Sequence, residues 1–374
     1  MIYLDHAATS FPLVRGVEEA FCRAAGLGNP GRSGHRLSME AASTVFNTRV
    51  LLAELFSTLP ERVIFTSGAT AALNQAIFGC FSGGAVVTDV FAHNAVLRPL
   101  HALSVSRNAS VRFFEPFPPS PEETVRRFLA VLSDDTRMAV LTAASNICSA
   151  TLPIEQIGKI CRERDILLIV DGAQYAGHAV CNLEKNGVDI LCVPGHKGLQ
   201  GVMGCGAMIL SPSCKIIPEP ILFGGSGSFS RHREMPEALP DRLEAGTLPL
   251  AAIASLGAGV RFVKELGENE IAYREKKAGL RAAAGLSCIR GVTVYPYAGG
   301  TFVFSHRSLA CEEIAARLDA CGICVRAGLH CAPLAHETLE TPEEGAVRVS
   351  VGPMTQMRQI DVFLSRASSV LACS

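Results

Sequence analysis

The stretch ILLIVDGAQYAGHAVCNLEKNGVDILCVPGHKGLQG (residues 166–201) contains two apolar runs, and each leads into a residue that ionises. The first ends at Asp171. The second is followed, after Pro194, Gly195 and His196, by Lys197. Runs this uniformly apolar suit strands covered on both faces, as in a parallel sheet. In open α/β sheets, ligands bind beyond the carboxyl ends of the strands. Asp171 therefore points toward a crevice, and Gln174 three residues on can face the same space. Alone, Asp171 also reads as a turn or cap residue, and Lys197 as a solvated surface charge. The glycines flanking the lysine and the buried strand before it favour a desolvated amine with a lowered pKa, which Schiff-base chemistry requires.

Further strand-like runs lie at 62–66, 84–89, 111–115, 138–143 and 206–210, with helical patterns such as 121–133 and 154–164 between them. With the two runs above, this predicts a mostly parallel seven-stranded sheet in an α/β domain spanning residues 16–250. After residue 250 the pattern changes. Two long helical stretches (251–266 and 268–286), the hairpin-like GVTVYPY and GTFVFSH, a helix (309–320), strands at 323–326 and 346–350 and a final helix (355–371) predict a smaller α+β domain over 251–374. Residues 1–15 are expected to pack nearby. The stretch FGGSGSFS (223–230) reads as a mobile loop, with an anion cradle as the alternative.

A third element is FTSGATAALNQ from Phe65. A strand ends, Ser67-Gly68-Ala69-Thr70 turns, and a helix begins. Its free backbone N–H groups and the Thr70 hydroxyl suit a phosphate, although an ordinary N-cap turn looks the same in isolation. A phosphate turn, a crevice acid and a crevice lysine together suit pyridoxal phosphate. The turn takes the phosphate, the acid keeps the pyridine nitrogen protonated, and the lysine binds the aldehyde.

Composition narrows the remaining classes. The chain has 374 residues, is 48% hydrophobic, carries a net charge of −1 and contains 14 cysteines. Its interspersed charges give no basic stripe for nucleic acid and no polybasic patch for a membrane surface. No apolar run approaches the roughly 18 residues of a membrane span. The opening MIYLDHAATSFP is not a secretory signal, so the cysteines are expected to be reduced and the protein cytoplasmic. Cys192 and Cys205, in apolar runs, read as small buried hydrophobes.

The motifs YLDHAATS, TSGAT, HNAVL, SNICS, DGAQ, GHKG, EAGT, RAGLHCA and VRVS, in this order, resemble the cysteine desulfurase and selenocysteine lyase family of class V aminotransferase-fold proteins. The likeness runs nearly end to end and implies the pyridoxal-phosphate-dependent transferase fold of type I. It further implies that Lys197 binds the cofactor aldehyde and later moves protons, and that Asp171 pairs with the pyridine nitrogen. Gln174 and Asn146 would approach the ring hydroxyl side, and His93 would stack on the ring. Ala69, Thr70 and His196 would hold the phosphate. Thr247 would reach the phosphate of a second subunit, so a homodimer is implied. Arg348 would clamp the substrate carboxylate, a geometry that suits a guanidinium fork, and His35 would sit near the substrate with Asn146. His93 alone reads as a satisfied loop histidine, and Arg348 alone as a surface ion-pair partner. Pro194 stands where a serine or threonine commonly helps to bind phosphate, and proline supplies neither hydroxyl nor N–H. His6 stands in place of a frequent asparagine.

The segment VRAGLHCAPLAHET (325–338) places Cys331 in a turn. The resemblance makes it the nucleophile that takes sulfur from L-cysteine as a persulfide, with His330 beside it tuning its ionisation. Its connection to Arg348 is short, which implies an acceptor protein that docks close to the site. Selenocysteine lyase, or an aminotransferase or lyase without sulfur transfer, is the alternative activity. Cys321, Cys324, His330, Cys331 and His336 also permit a metal-site or CxxC redox reading. Because Cys324 is expected on a strand that faces away from the loop, no metal is assigned.

Overall fold

The protein is described here from a computed structural model covering residues 1–31, 33–116, 120–228 and 231–371. The last two residues of the FGGSGSFS stretch, Phe229 and Ser230, lie outside the described residues.

The short strand β1 (Ile2–Tyr3) is followed by β2 (Val63–Thr66), β3 (Ala85–Asp89), β4 (Ser110–Phe114), β5 (Thr136–Thr142), β6 (Leu167–Asp171), β7 (Ile190–Pro194) and β8 (Gly206–Leu210). Strands β2 to β8 form one seven-stranded sheet in the order β2-β8-β7-β6-β5-β3-β4. Only β8 runs against its neighbours; β7, β6, β5, β3 and β4 are mutually parallel. The expected sheet is therefore the observed one. Side chains alternate between its faces, as a two-residue period requires. Leu168, Val170, Leu191 and Val193 enter one core, and Leu167, Ile169, Ile190 and Cys192 enter the other.

Helices cover both faces: α1 (Val17–Ala25), α2 (Arg36–Phe56), α3 (Ala69–Cys80), α4 (Asn94–Arg107), α5 (Pro121–Val131), α6 (Ile154–Glu163) and α7 (Leu250–Leu266). Their starts and faces are legible in the chain. Ser120 caps α5 by accepting from the Glu123 N–H at 3.2 Å, with Pro121 at the first helical position. Helix α6 buries Ile154, Ile157, Gly158 and Cys161, which form one stripe at helical spacing. Helix α7 places Leu250, Ile253, Leu256 and Val260 in the larger core. The helix that the sequence reading grouped with the smaller unit thus packs with the larger one.

The remaining elements are α8 (Glu268–Ser287), β9 (Val292–Val294), β10 (Thr301–His306), α9 (Cys311–Ala320), β11 (Ile323–Cys324), β12 (Arg326–Gly328), α10 (Pro333–Thr338), β13 (Ala346–Ser350) and α11 (Met357–Leu371). Strands β12, β13, β10 and β9 form a second, antiparallel sheet in that order. Phe302, Phe304, Val347 and Val349 pack there against Ala282, Ile314, Ile360 and Phe363 of its helices.

The N-terminal segment crosses between the two sheets. β1 pairs in parallel with β11, and Asp5 bridges to Ser350. Farther on, the Ser10 N–H donates to the His196 carbonyl at 2.8 Å and the Ser10 hydroxyl to the Lys197 carbonyl at 2.7 Å.

Candidate active site

The carboxyl ends of β2, β5, β6 and β7 and the turn after β3 open into one cavity of about 250 Å³. Its walls include Ala69, Thr70, His93, Asn146, Asp171, Gln174, Pro194, His196 and Lys197. Eight of the twelve site residues expected from sequence therefore meet in one place, at the crevice position the sheet dictates.

Gly68 leads into α3 at φ 154°, ψ 177°, a backbone region essentially restricted to glycine. This turn brings Ala69 and Thr70 to the cavity at the positive end of a twelve-residue helix. Across the cavity, the turns after β6 and β7 pack glycine against glycine. A Cβ on Gly198 would stand 2.2 Å from the Ala176 carbonyl, and one on Gly177 2.3 Å from the Gly198 carbonyl. This close approach sets the Lys197 turn against the Asp171 turn.

Asp171 is buried, and Oδ1 accepts from the Ala173 N–H at 2.9 Å. Burial raises its pKa, partly offset by that hydrogen bond and by Lys197. Burial also lowers the Lys197 pKa to about 8; Asp171 opposes this, and Arg348 and Arg326 add to it. Gln174 donates through Nε2 to the Ala7 carbonyl at 2.8 Å, so the N-terminal segment fixes this wall too.

His93 caps α4, its Nδ1 accepting from the Ala95 N–H at 3.0 Å. Burial and the nearby cations hold its pKa at about 4, so the ring is neutral and its hydrogen sits on Nε2. Burial likewise takes His196 to about 4. Three buried atoms of cavity residues, Thr142 Oγ1, Asn146 Oδ1 and His196 Nδ1, have no hydrogen-bond partner.

Cys331 is exposed at the rim. It shares an outer groove with Thr70, His93, Asn94 and Arg98, and Thr70 and His93 line the inner cavity as well. Cys331 and His330 both adopt left-handed backbone, at φ 56° and 51°. The expectation that His330 tunes the neighbouring thiol needs correction. Its ring is buried, and both nitrogens are engaged, Nε2 with the Arg326 carbonyl and Nδ1 with His336 Nε2, each at 3.1 Å. No ring nitrogen remains to serve Cys331.

Arg348 is only 2% exposed. Its Nη2 donates to Asp5 Oδ1 at 2.8 Å and its Nη1 to the Asn146 carbonyl at 3.3 Å, leaving Nε without a partner. Arg326 lies opposite it across the β12–β13 ladder and makes no ion pair among the described residues. Like charges placed so are unfavourable, and Asp5 compensates one of them. Sequence reasoning missed both Asp5 and Arg326. Asp5 was visible inside YLDHAATS, whereas Arg326 becomes informative only once strand register is known.

Two expected residues lie elsewhere. His35 caps α2, accepting through Nδ1 from the Ser38 N–H at 3.2 Å, and Thr247 is exposed. Neither lines the cavity of its own chain. Glu244, three residues before Thr247, anchors that segment by pairing with Arg49 and accepting from the Phe65 N–H at 2.6 Å. Among the described residues, no group of three or more His, Cys, Asp or Glu is placed to hold a metal, and no helix is long and apolar enough to cross a membrane.

The family model for class-V aminotransferases matches residues 2–363. A probable cysteine desulfurase of Pyrococcus abyssi is 27% identical, over 97% of this chain and 92% of its own length. One of Methanothermobacter thermautotrophicus is 29% identical, over 94% and 90%. Among solved structures, an apo cysteine desulfurase from Thermococcus onnurineus superposes with a TM-score of 0.89 at 26% identity, covering 100% of this chain and 95% of that one.

Proposed function

The chain belongs to the class-V aminotransferase family, and on that premise we propose that it is a pyridoxal-phosphate-dependent cysteine desulfurase, releasing alanine from L-cysteine and taking the sulfur as a persulfide on Cys331. The observation that carries this reading is the exposed Cys331 at the rim, in a groove that shares Thr70 and His93 with the lysine-bearing cavity.

The cavity residues fit the cofactor. A buried carboxylate and a desolvated lysine lie at neighbouring strand ends, and Asn146 Oδ1 and His196 Nδ1 await a partner. Lys197 and Asp171 would hold it with Ala69, Thr70, His93, Asn146, Gln174 and His196. When bound, it supplies an electron sink for negative charge at the substrate Cα. The Lys197 amine takes the Cα proton, a role suited to a base poised near 8. Arg348 and Arg326 supply positive charge for the substrate carboxylate. Cys331 attacks the substrate sulfur as thiolate. A sulfur–sulfur bond forms and the carbon–sulfur bond breaks; its electron pair remains on carbon, which takes a proton to give alanine.

The sulfur then passes to an acceptor protein that docks over the exposed groove. Two copies of the chain assemble, with Thr247 and His35 serving the partner's site. Their exposure away from their own cavity, beside the exposed apolar side chains Leu37, Met39 and Phe46, supports this arrangement.

The test is product analysis of the cofactor-loaded enzyme given L-cysteine. One alanine per sulfur is expected, with the first persulfide on Cys331 by mass spectrometry of alkylated peptides. Absence of alanine, or a first persulfide on Cys321 or Cys324, overturns the reading.

A further inference from the structure

Behind Cys331 runs a hydrogen-bonded chain buried in the protein. His330 Nε2 lies 3.1 Å from the Arg326 carbonyl, which can only accept, so this nitrogen carries the hydrogen. The neutral ring must then accept at Nδ1, where His336 Nε2 approaches to 3.1 Å. His336 Nε2 is therefore a donor and its Nδ1 an acceptor, and the Thr341 hydroxyl lies 2.8 Å from that Nδ1. One direction satisfies every link: Thr341 hydroxyl to His336, His336 to His330, His330 to the Arg326 carbonyl. Burial keeps both rings neutral, with pKa values near 3 for His330 and 4 for His336. The rings are nearly coplanar, 17° between planes with centroids 5.3 Å apart, as a hydrogen bond between ring nitrogens requires.

This chain ends at the one place among the described residues where two consecutive non-glycine residues hold left-handed backbone, His330 and Cys331. Isolated residues leave that conformation readily, so it persists only where the surroundings fix it. Two carbonyls complete the restraint. That of His330 accepts from Asn146 Nδ2 at 2.9 Å, and that of Cys331 from the Asn94 N–H at 2.7 Å. Asn146 lines the cofactor cavity, and Asn94 follows His93.

We propose that Thr341, His336 and His330 form a strut whose role is to hold the Cys331 backbone against Asn94 and Asn146, keeping the thiol at the cavity rim. They are positioning residues; none touches the reacting atoms. The inference rests on the reading of Cys331 as the sulfur acceptor, and it assigns His330 a mechanical part in place of an acid–base one.

Hydrogen exchange at the Asn94 amide reports docking of the Cys331 carbonyl and does not depend on what the thiol does. In His336→Leu the donor to His330 is lost. Asn94 exchange is expected to rise at least tenfold, and persulfide formation on Cys331 to fall at least tenfold with KM for cysteine unchanged. His336→Gln, whose Nε2 amide can replace the ring donor, restores both. Should His336→Leu fail to fold, Thr341→Val decides: it removes only the first link, and about a threefold rise in Asn94 exchange is expected. Wild-type exchange at Asn94 in the folded variant that decides overturns the strut. Failure of the underlying reading shows separately, as cysteine desulfuration that survives Cys331→Ser.

Discussion

Asp171 closes one buried parallel strand and Lys197 follows another, whereas Cys331 sits on a turn between β12, an edge strand, and a six-residue helix. At the cavity floor, shielding from water shifts both groups toward their neutral forms. The rim is open, and its conformation is held by hydrogen bonds to neighbouring elements. The contrast matches two demands. Proton transfer at carbon gains from a dry, fixed surrounding, and delivery of sulfur to another protein requires access.

The largest effect should come from the floor. Lys197→Ala is expected to lower turnover at least ~10³-fold and to abolish a borohydride-reducible cofactor adduct, because it removes the amine that both bonds and moves protons. An adduct that persists on another lysine would relocate the floor. Cys331→Ser should separate the two regions. Persulfide formation is expected to drop by at least ~10²-fold while cofactor absorbance stays as in the wild type. Loss of cofactor along with sulfur transfer would mean the regions are not independent.

Asp171→Asn keeps the shape of the floor and removes its charge. Turnover should fall about 100-fold, measured under saturating cofactor, with Cys331 alkylation unaltered. The smallest effect concerns pH. Cofactor loading needs the neutral Lys197 amine, which predominates above pH 8. The loading rate should therefore rise about tenfold from pH 7 to 9 and then level, whereas an unshifted lysine would keep gaining toward about 10.4. A rate still climbing at pH 10 would show that the floor does not desolvate the lysine.

The floor was largely legible before any coordinates. Apolar runs, glycines and the residues that end strands are local signals, and a parallel sheet turns them into positions in space. Residues 166–171 and 189–193 were expected as strands, and β6 and β7 agree to within a residue at each end. The rim was only partly legible. Cys331 stood out as a thiol in a turn, yet nothing in RAGLHCAPLAHET tells which way the His330 ring faces, because that depends on a partner six residues on and on a carbonyl four residues back. Arg348 was identifiable as a cation, but its pairing with Asp5 joins opposite ends of the chain. Thr247 and His35 mark a different limit, since the role proposed for them involves a second copy.

That first segment also constrains biosynthesis. Residues 2–10 touch 322–324 and 350, and they support the Lys197 turn through Ser10. In synthesis they precede these partners, so the contact with residue 350 forms only after the last strand of the smaller sheet has been made. At roughly 5–20 residues per second, that interval is tens of seconds. Throughout it Asp5 and the Asn146 carbonyl lack their partner, because Arg348 has not yet been synthesised. A nascent chain stalled before residue 346 would therefore carry every cavity-lining residue in sequence yet lack the guanidinium beside Asp5 and Asn146, so that completion of the site is tied to completion of the C-terminal part.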